Sequence, residues 1–182
     1  VGLISMRGRM VQENSSNERY RIEQEIGEGA YAKTFRAYDE RLKRQVAIKF
    51  FNNEKSDAYV WAHARATANL ACDHVVEIYD ARKLKHPMTA LEAPCIIMPI
   101  IQGVTLLKLV ETQKIDSGLM HRVSREFLEG VREMSAVGPH GDVHSGNVII
   151  RESDGRCIII DASAEGGSPT SDVRFAAEVL FD

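Results

Sequence analysis

Apolar and polar positions alternate along much of the first hundred residues. The stretch YRIEQEI (20–26) has apolar residues at the alternate positions 20, 22 and 26, and VAIKFF (46–51) is rich in β-branched and aromatic residues. Such patterns are typical of strands that bury one face or lie inside a sheet. The chain is therefore predicted to form strands at 20–26, 34–38, 46–51, 75–81 and 95–101.

Helical spacing marks two longer segments. Residues 56–71 are alanine-rich and free of glycine and proline, and residues 117–136 place apolar side chains at helical intervals. Both segments are predicted to be helices. The apolar face of the first helix is predicted to consist of Tyr59, Ala62, Ala66 and Leu70.

Short apolar stretches return near the end of the chain. Residues 148–150 and 157–161 flank a Ser-Asp-Gly turn, which predicts a β-hairpin. A last helix is predicted from 172 to 182. The polar, turn-rich start of the chain (1–18) is expected to be a flexible arm or an edge strand.

Composition narrows the classes of partner. The formal net charge of −3 argues against nucleic acid as a partner, because nucleic-acid-binding proteins usually carry a basic excess. No apolar run reaches the roughly 18 residues of a membrane span, so no membrane partner is expected. The three cysteines, Cys72, Cys95 and Cys157, form no Cys-x-x-Cys pair. A reducing, cytoplasmic location follows as the default.

Two features of the strand region could bind a polyphosphate. Gly27 and Gly29 interrupt the first two strands, and glycines at such a turn let the backbone approach a ligand closely. Lys49 lies in an apolar strand, where a lysine side chain needs an anionic partner. Each feature also has a plain structural interpretation, as turn glycines and as a solvated strand lysine.

A polar turn between the second helix and the hairpin carries the other candidate groups. It is HGDVHSGN (140–147), and within it Asp142 could accept a proton from a hydroxyl. Asn147 and Asp161 could hold a divalent metal ion through oxygen atoms. Ordinary turn chemistry is one alternative. A zinc site at His140 and His144 is another, but no third ligand follows at a suitable spacing.

These motifs occur in an order that resembles the protein kinase family, and its bacterial serine/threonine kinases in particular. The chain shows a glycine loop, VAIK, a helix, a hinge strand, a His-x-Asp loop that ends in Asn, and an aspartate after the last strand. The resemblance implies an α+β, two-lobed protein-kinase-like fold. It implies an antiparallel β-sheet N-lobe with the hinge (19–101) and a reduced, truncated helical C-lobe with the catalytic loop (102–182).

The resemblance also implies ATP and Mg²⁺ as cofactors and a role for each matching residue. The nucleotide-binding residues would be Gly27, Gly29, Ala47, Lys49, the gatekeeper Met98, Ile100 and Ile101. The catalytic residues would be Asp142, Lys49 and His144, and the metal ligands would be Asn147 and Asp161.

The sequence departs from the family pattern at several points. Helix 56–71 lacks the glutamate that pairs with the strand lysine, and His63 or Arg65 stands where it would align. The sequence at 161–163 is Asp-Ala-Ser in place of Asp-Phe-Gly, and Gly141 replaces the usual arginine. The C-lobe helices beyond 182 are missing, which implies either a fragment or a minimal kinase.

Three functions are consistent with these residues. The first is transfer of the ATP γ-phosphate to a serine or threonine hydroxyl of a protein. The second is a pseudokinase that holds nucleotide or a partner protein without catalysis. The third is a small-molecule kinase, since His-Gly-Asp-x-His-x-x-Asn is similar to the loop of aminoglycoside and choline phosphotransferases. A protein substrate or partner is expected, or a second copy that covers the truncated C-lobe.

Overall fold

A computed structural model describes residues 19–52, 55–70, 72–137 and 144–161. The predicted arm (1–18), the catalytic-loop positions 138–143 and the predicted last helix (172–182) lie outside the described residues. The chain divides into two compact units. Unit 1 is drawn from Val1–Ala64 and Ile78–Ile100, and unit 2 from Arg65–Glu77 and Ile101–Asp182.

Unit 1 contains a five-stranded antiparallel sheet in the order β1-β2-β3-β5-β4. The first three strands confirm the predictions at 20–26, 34–38 and 46–51. The strands are β1 (Tyr20–Glu28), β2 (Ala32–Asp39), β3 (Arg44–Phe51), β4 (Asp80–Lys85) and β5 (Glu92–Met98).

The sheet of unit 1 is apolar on both faces. One face carries a fully buried cluster that includes Phe35, Ile48 and Ile97. The opposite face carries Phe51 and Ile96, which pack against helix α1 (Asp57–Ala68). A strand covered on both faces reads as a nearly continuous apolar run, as 46–51 does in the sequence.

Helix α1 is confirmed, but its predicted apolar face is only partly correct: Tyr59 packs against the cluster of Phe51 and Ile96, and the rest of the buried stripe differs. The buried residues are Val60, His63, Ala64 and Thr67, whereas Ala62 is exposed. Val60 and Ala64 are compact enough to pack directly against Phe51 and Ile96. The buried stripe therefore includes two polar residues, which concealed it in the sequence pattern.

The strand predicted at 75–81 is wrong except for its last two residues, which begin β4. Val75 forms only an isolated parallel bridge with Ile159, and Val76 N–H donates to Ile159 O at 2.8 Å. Tyr79 N–H instead donates to Ile97 O at 2.8 Å, and β4 begins at Asp80. The alternating pattern is divided between the two units, so no single sheet pairs with all of it.

The predicted strand at 95–101 is shifted in the structure. Strand β5 begins at Glu92, because the β4–β5 pairing continues as far as Lys85 opposite Glu92. It ends at Met98, immediately before Pro99, which has no backbone N–H to donate to a sheet.

Unit 2 combines helices with a three-stranded antiparallel sheet in the order β6-β7-β8. The helix predicted at 117–136 and the hairpin that follows the polar turn are both confirmed. The elements are β6 (Gly103–Thr105), α2 (Leu106–Glu111), α3 (Ser117–Val137), a 3-10 turn (Ser145–Asn147), β7 (Val148–Arg151) and β8 (Cys157–Ile159).

The core of unit 2 lies between α3 and the hairpin. It contains Val123, Phe127 and Met134 from α3, and Val148 and Ile159 from the strands. All five side chains are almost fully buried. Among the described residues, no helix is both long and apolar enough to cross a membrane.

Candidate functional site

The glycine loop joins β1 to β2 in unit 1. Gly29 N–H donates to Ala32 O at 2.9 Å, which closes the loop. A methyl group added at Gly27 or Gly29 would meet no atom closer than 3.7 Å. Packing within the protein therefore does not require glycine at these positions, and the absence of side chains keeps the space beside the backbone open.

Strand pairing brings three of the predicted nucleotide-binding residues to one face of the sheet. Ala47 pairs with Met98, and Lys49 lies two residues further along β3. Because side chains alternate between the faces of a strand, Ala47 and Lys49 share one face. Ala47 and Met98 are buried and Lys49 is half-buried. The predicted Ile100 and Ile101 follow β5 and are half-buried.

The surroundings of Lys49 distinguish the two helix positions that could replace the family glutamate. Lys49 Nζ lies 5.2 Å from the centre of the Phe51 ring. The Phe51 ring contacts the His63 ring of α1, with 6.2 Å between their centres. His63 is only 4% exposed, whereas Arg65 is exposed. His63 therefore occupies the helix position that faces β3.

A second cation lies on the same face of the sheet as Lys49. Arg36 pairs with Ala47, so it is diagonal to Lys49 at a typical distance of about 7–8 Å between Cα atoms. Its Nε is enclosed and has no hydrogen-bond partner among the described residues. Nε of Arg44 is also enclosed, but that guanidinium lies 3.7 Å from the centre of the Tyr79 ring.

An enclosed N–H without an acceptor costs about 1–3 kcal/mol, and neighbouring like charges repel each other. The repulsion between Arg36 and Lys49 is offset by a ligand that brings negative charge, so this face suits an anionic ligand.

In unit 2 the 3-10 turn positions His144 and Asn147. His144 Nδ1 accepts a hydrogen bond from Gly146 N–H at 3.1 Å, and Asn147 N–H donates to His144 O at 2.9 Å. Because Nδ1 accepts, the proton of a neutral His144 ring is assigned to Nε2. The His144 side chain thus caps the turn that carries Asn147.

One backbone hydrogen bond brings the two predicted metal ligands close in the fold. Ile160 N–H donates to Asn147 O at 2.9 Å, and Asp161 is the next residue. An amide oxygen and a carboxylate suit Mg²⁺, which proteins usually hold with one or two carboxylates, water and substrate phosphates. Within the described ranges, no group of three or more His, Cys, Asp and Glu side chains could hold a metal ion.

Several predicted residues cannot be placed. Asp142, the predicted catalytic base, lies outside the described residues, as do His140 and Gly141. The role of Asp142 and the His140–His144 zinc alternative therefore stay predictions.

Sequence reasoning missed Glu126, which anchors the strand leading to Asp161. Its carboxylate is buried in the middle of α3, and Oε2 accepts the Cys157 N–H at 2.8 Å. His74 Nδ1 lies 3.2 Å from Cys157 O, so both backbone groups of Cys157 have side-chain partners. The available signal was an acidic residue inside the apolar stripe of α3, between Val123 and Phe127.

The thiols of Cys95 and Cys157 are buried. Burial raises the pKa of Cys157, in β8, to about 12. Burial also raises the pKa of Cys95, in β5, to about 12. Neither thiol supplies a nucleophile near neutral pH, which is consistent with chemistry based on oxygen ligands and a carboxylate.

Known proteins resemble this chain along most of its length. The model of the protein kinase domain matches residues 20–164. A probable serine/threonine-protein kinase of Clostridium acetobutylicum is 28% identical over 145 residues, which are 76% of this chain and 21% of that protein. The serine/threonine-protein kinase PksC of Streptomyces coelicolor is 25% identical over 154 residues, which are 79% of this chain and 27% of that protein. The chain thus spans only about a fifth to a quarter of the length of these relatives.

Proposed function

Because the chain belongs to the protein kinase family, we propose that it is an ATP- and Mg²⁺-dependent phosphotransferase that acts on serine or threonine hydroxyls of a protein. The observation that carries the proposal is the shared sheet face of Ala47, Lys49 and Met98, on which Arg36 adds a second positive charge. The serine/threonine-kinase descriptions of the bacterial relatives support a protein acceptor.

The proposal assigns the nucleotide to residues of the sheet in unit 1. Backbone N–H groups at Gly27 and Gly29 would cover the phosphates, and Lys49 would hold the α- and β-phosphates. Ala47 and Met98 would line the space for the base. ATP supplies the phosphoryl group, and Mg²⁺ neutralises the charge that develops during its transfer.

The catalytic roles fall to unit 2. Asn147 and Asp161 would hold the metal ion through the amide oxygen and a carboxylate oxygen. Asp142 would accept the proton of the attacking hydroxyl. His144 would keep the loop in shape through its hydrogen bond with Gly146 N–H. We also propose the N-lobe (19–101) and C-lobe (102–182) as the functional division.

A pseudokinase remains the second candidate, and the position of His63 favours it. His63, a buried imidazole whose ring contacts Phe51, occupies one of the two positions that align with the family carboxylate that orients the strand lysine. An imidazole carries no negative charge, so it cannot form the ion pair with Lys49. A protein of this kind would bind nucleotide without transferring phosphate.

Intact-mass spectrometry with Mg²⁺-ATP and casein tests the proposal. The parent chain should add one or more phosphates to casein or to itself, and Asp142→Asn should add none. Lys49→Met should also be inactive, whereas Lys43→Met is the matched control because Lys43 is exposed in the turn between β2 and β3. A higher melting temperature of the parent with ATP, without any transfer of phosphate, would support the pseudokinase. No stabilisation and no transfer would reject both functions.

A further inference from the structure

The tip of the glycine loop is attached to the segment that connects β3 to α1. Asn52 N–H donates to Tyr31 O at 2.9 Å, and Asn52 Nδ2 donates to Ala30 O at 3.3 Å. Both bonds hold the loop through backbone oxygens. The position of the tip is therefore fixed relative to the end of β3.

Lys55 adds a side-chain link between the loop and α1. Its Nζ lies 4.2 Å from the centre of the Tyr31 ring and 4.7 Å from the centre of the Tyr59 ring. Tyr31 is at the loop tip and is 50% exposed, while Tyr59 is in the first turn of α1. One ammonium group thus contacts an aromatic ring on each of the two elements.

The contacts continue from Tyr59 to the strand of Lys49. The Tyr59 and Phe51 rings are 6.5 Å apart and nearly perpendicular, which is a favourable edge-to-face arrangement. Lys49 Nζ lies 5.2 Å from the centre of that same Phe51 ring. Rings and cations therefore connect the loop tip, α1 and the strand that carries Lys49.

Acidic residues of α1 do not provide this connection. Asp57 is the sole carboxylate in the helix sequence, and it pairs with Lys83 of β4. Aromatic rings of α1 take part instead, since Tyr59 contacts Lys55 and Phe51, and His63 contacts Phe51.

We propose that Lys55 is a positioning residue that holds the tip of the glycine loop against α1 before nucleotide binds. The inference rests on the proposed nucleotide-binding function of the loop. A loop that is already placed does not have to be ordered when phosphates bind, so less of the interaction energy is lost. In this proposal Lys55 acts through the Tyr31 ring and the loop that carries it.

The expected effect follows from the two ring contacts. At a partly exposed site, the attraction between one cation and one aromatic ring changes an equilibrium constant by about two- to fivefold. Lys55→Met keeps the length of the side chain and removes the charge. We expect it to weaken ATP and ADP binding about three- to tenfold and to leave adenosine binding unchanged, because adenosine has no phosphates.

Two measurements on the full chain test the inference. Calorimetric titration gives the affinities for ATP, ADP and adenosine, and amide hydrogen exchange of the peptide covering 29–32 reports the loop without nucleotide. Lys55→Arg should restore both quantities, since arginine also stacks on aromatic rings. Lys43→Met, on the opposite turn of the same sheet, should change neither.

The outcomes separate the inference from the proposed function. Weaker phosphate binding and faster exchange at 29–32 in Lys55→Met, with recovery in Lys55→Arg, support the positioning role. Equal ATP affinity in parent and Lys55→Met overturns it, and so does an equal loss for adenosine, which would mean general damage. If the parent binds no ATP, the proposed function fails. In that case, unchanged amide hydrogen exchange at 29–32 in Lys55→Met would independently reject the proposal that Lys55 positions the loop.

Discussion

Replacement of Glu126 by alanine should destabilise unit 2, because one backbone N–H loses its hydrogen-bond acceptor. The carboxylate accepts the Cys157 N–H at 2.8 Å, and both residues are buried, so water cannot replace the lost acceptor. A buried donor left without a partner costs about 1–3 kcal/mol. For a chain of this size, each kcal/mol lowers Tm by about 2–4 °C. We therefore expect Glu126→Ala to lower the free energy of unfolding by about 2 kcal/mol and Tm by about 4–8 °C.

Urea denaturation followed by circular dichroism measures the change, and amide exchange of the peptide 157–159 locates it. Glu126→Gln retains an acceptor oxygen and should lose less than half as much stability. Glu129→Ala is the matched control, because Glu129 is 3.4 Å from His74 Nε2 but its side chain is 48% exposed. That control should change stability by less than about 0.5 kcal/mol. Equal stabilities of Glu126→Ala and the parent, or equal losses for the Ala and Gln variants, would refute the reasoning.

Three further predictions concern acid stability, sheet packing and the metal. Hydrogen bonds from Arg19, and then from backbone N–H groups, hold the pKa of buried Asp39 below its usual value. The stability that Asp39 contributes is therefore present above about pH 4 and is lost as pH falls through the pKa of the folded state. Asp39→Asn should be less stable than the parent at pH 7, and denaturation measured across pH should show a smaller loss of its stability in acid. Gly103→Ala would place a Cβ atom 2.1 Å from Ile150 O, so β6 must move from β7, and urea denaturation should show a loss of about 1–3 kcal/mol or more. Asp161→Asn should remove the increase in ATP affinity that Mg²⁺ produces in titrations, while binding without Mg²⁺ changes by less than about twofold, because charge–charge attraction to the metal is lost.

The spacing of apolar residues in the sequence predicted several strands and helices correctly. Alternation located β1 and β2, an apolar run of β-branched and aromatic residues located β3, and helical spacing located α3. The order of the motifs also placed Ala47 and Lys49 on one strand, two residues apart, and this spacing alone puts them on one face.

Tertiary structure decided the features that sequence reasoning missed. Residues 75–81 alternate as a strand does, but their backbone partners lie in two different units. The buried stripe of α1 contains His63 and Thr67, and such polar residues are acceptable only where the neighbours suit them. Glu126 could not be predicted as a buried residue for the same reason, since its partner is 31 positions away in β8.

The division of the chain has a consequence for its synthesis on the ribosome. Arg65–Glu77 belongs to unit 2, although Ile78–Ile100 of unit 1 follows it in the sequence. The bridge partner of Val75 is Ile159, which is translated 84 residues later, from 159 minus 75. At about 5–20 residues per second, the delay is roughly 4–17 seconds. During that time the sheet of unit 1 can form, whereas the backbone groups of Val75 and Val76 that pair with Ile159 still lack that partner.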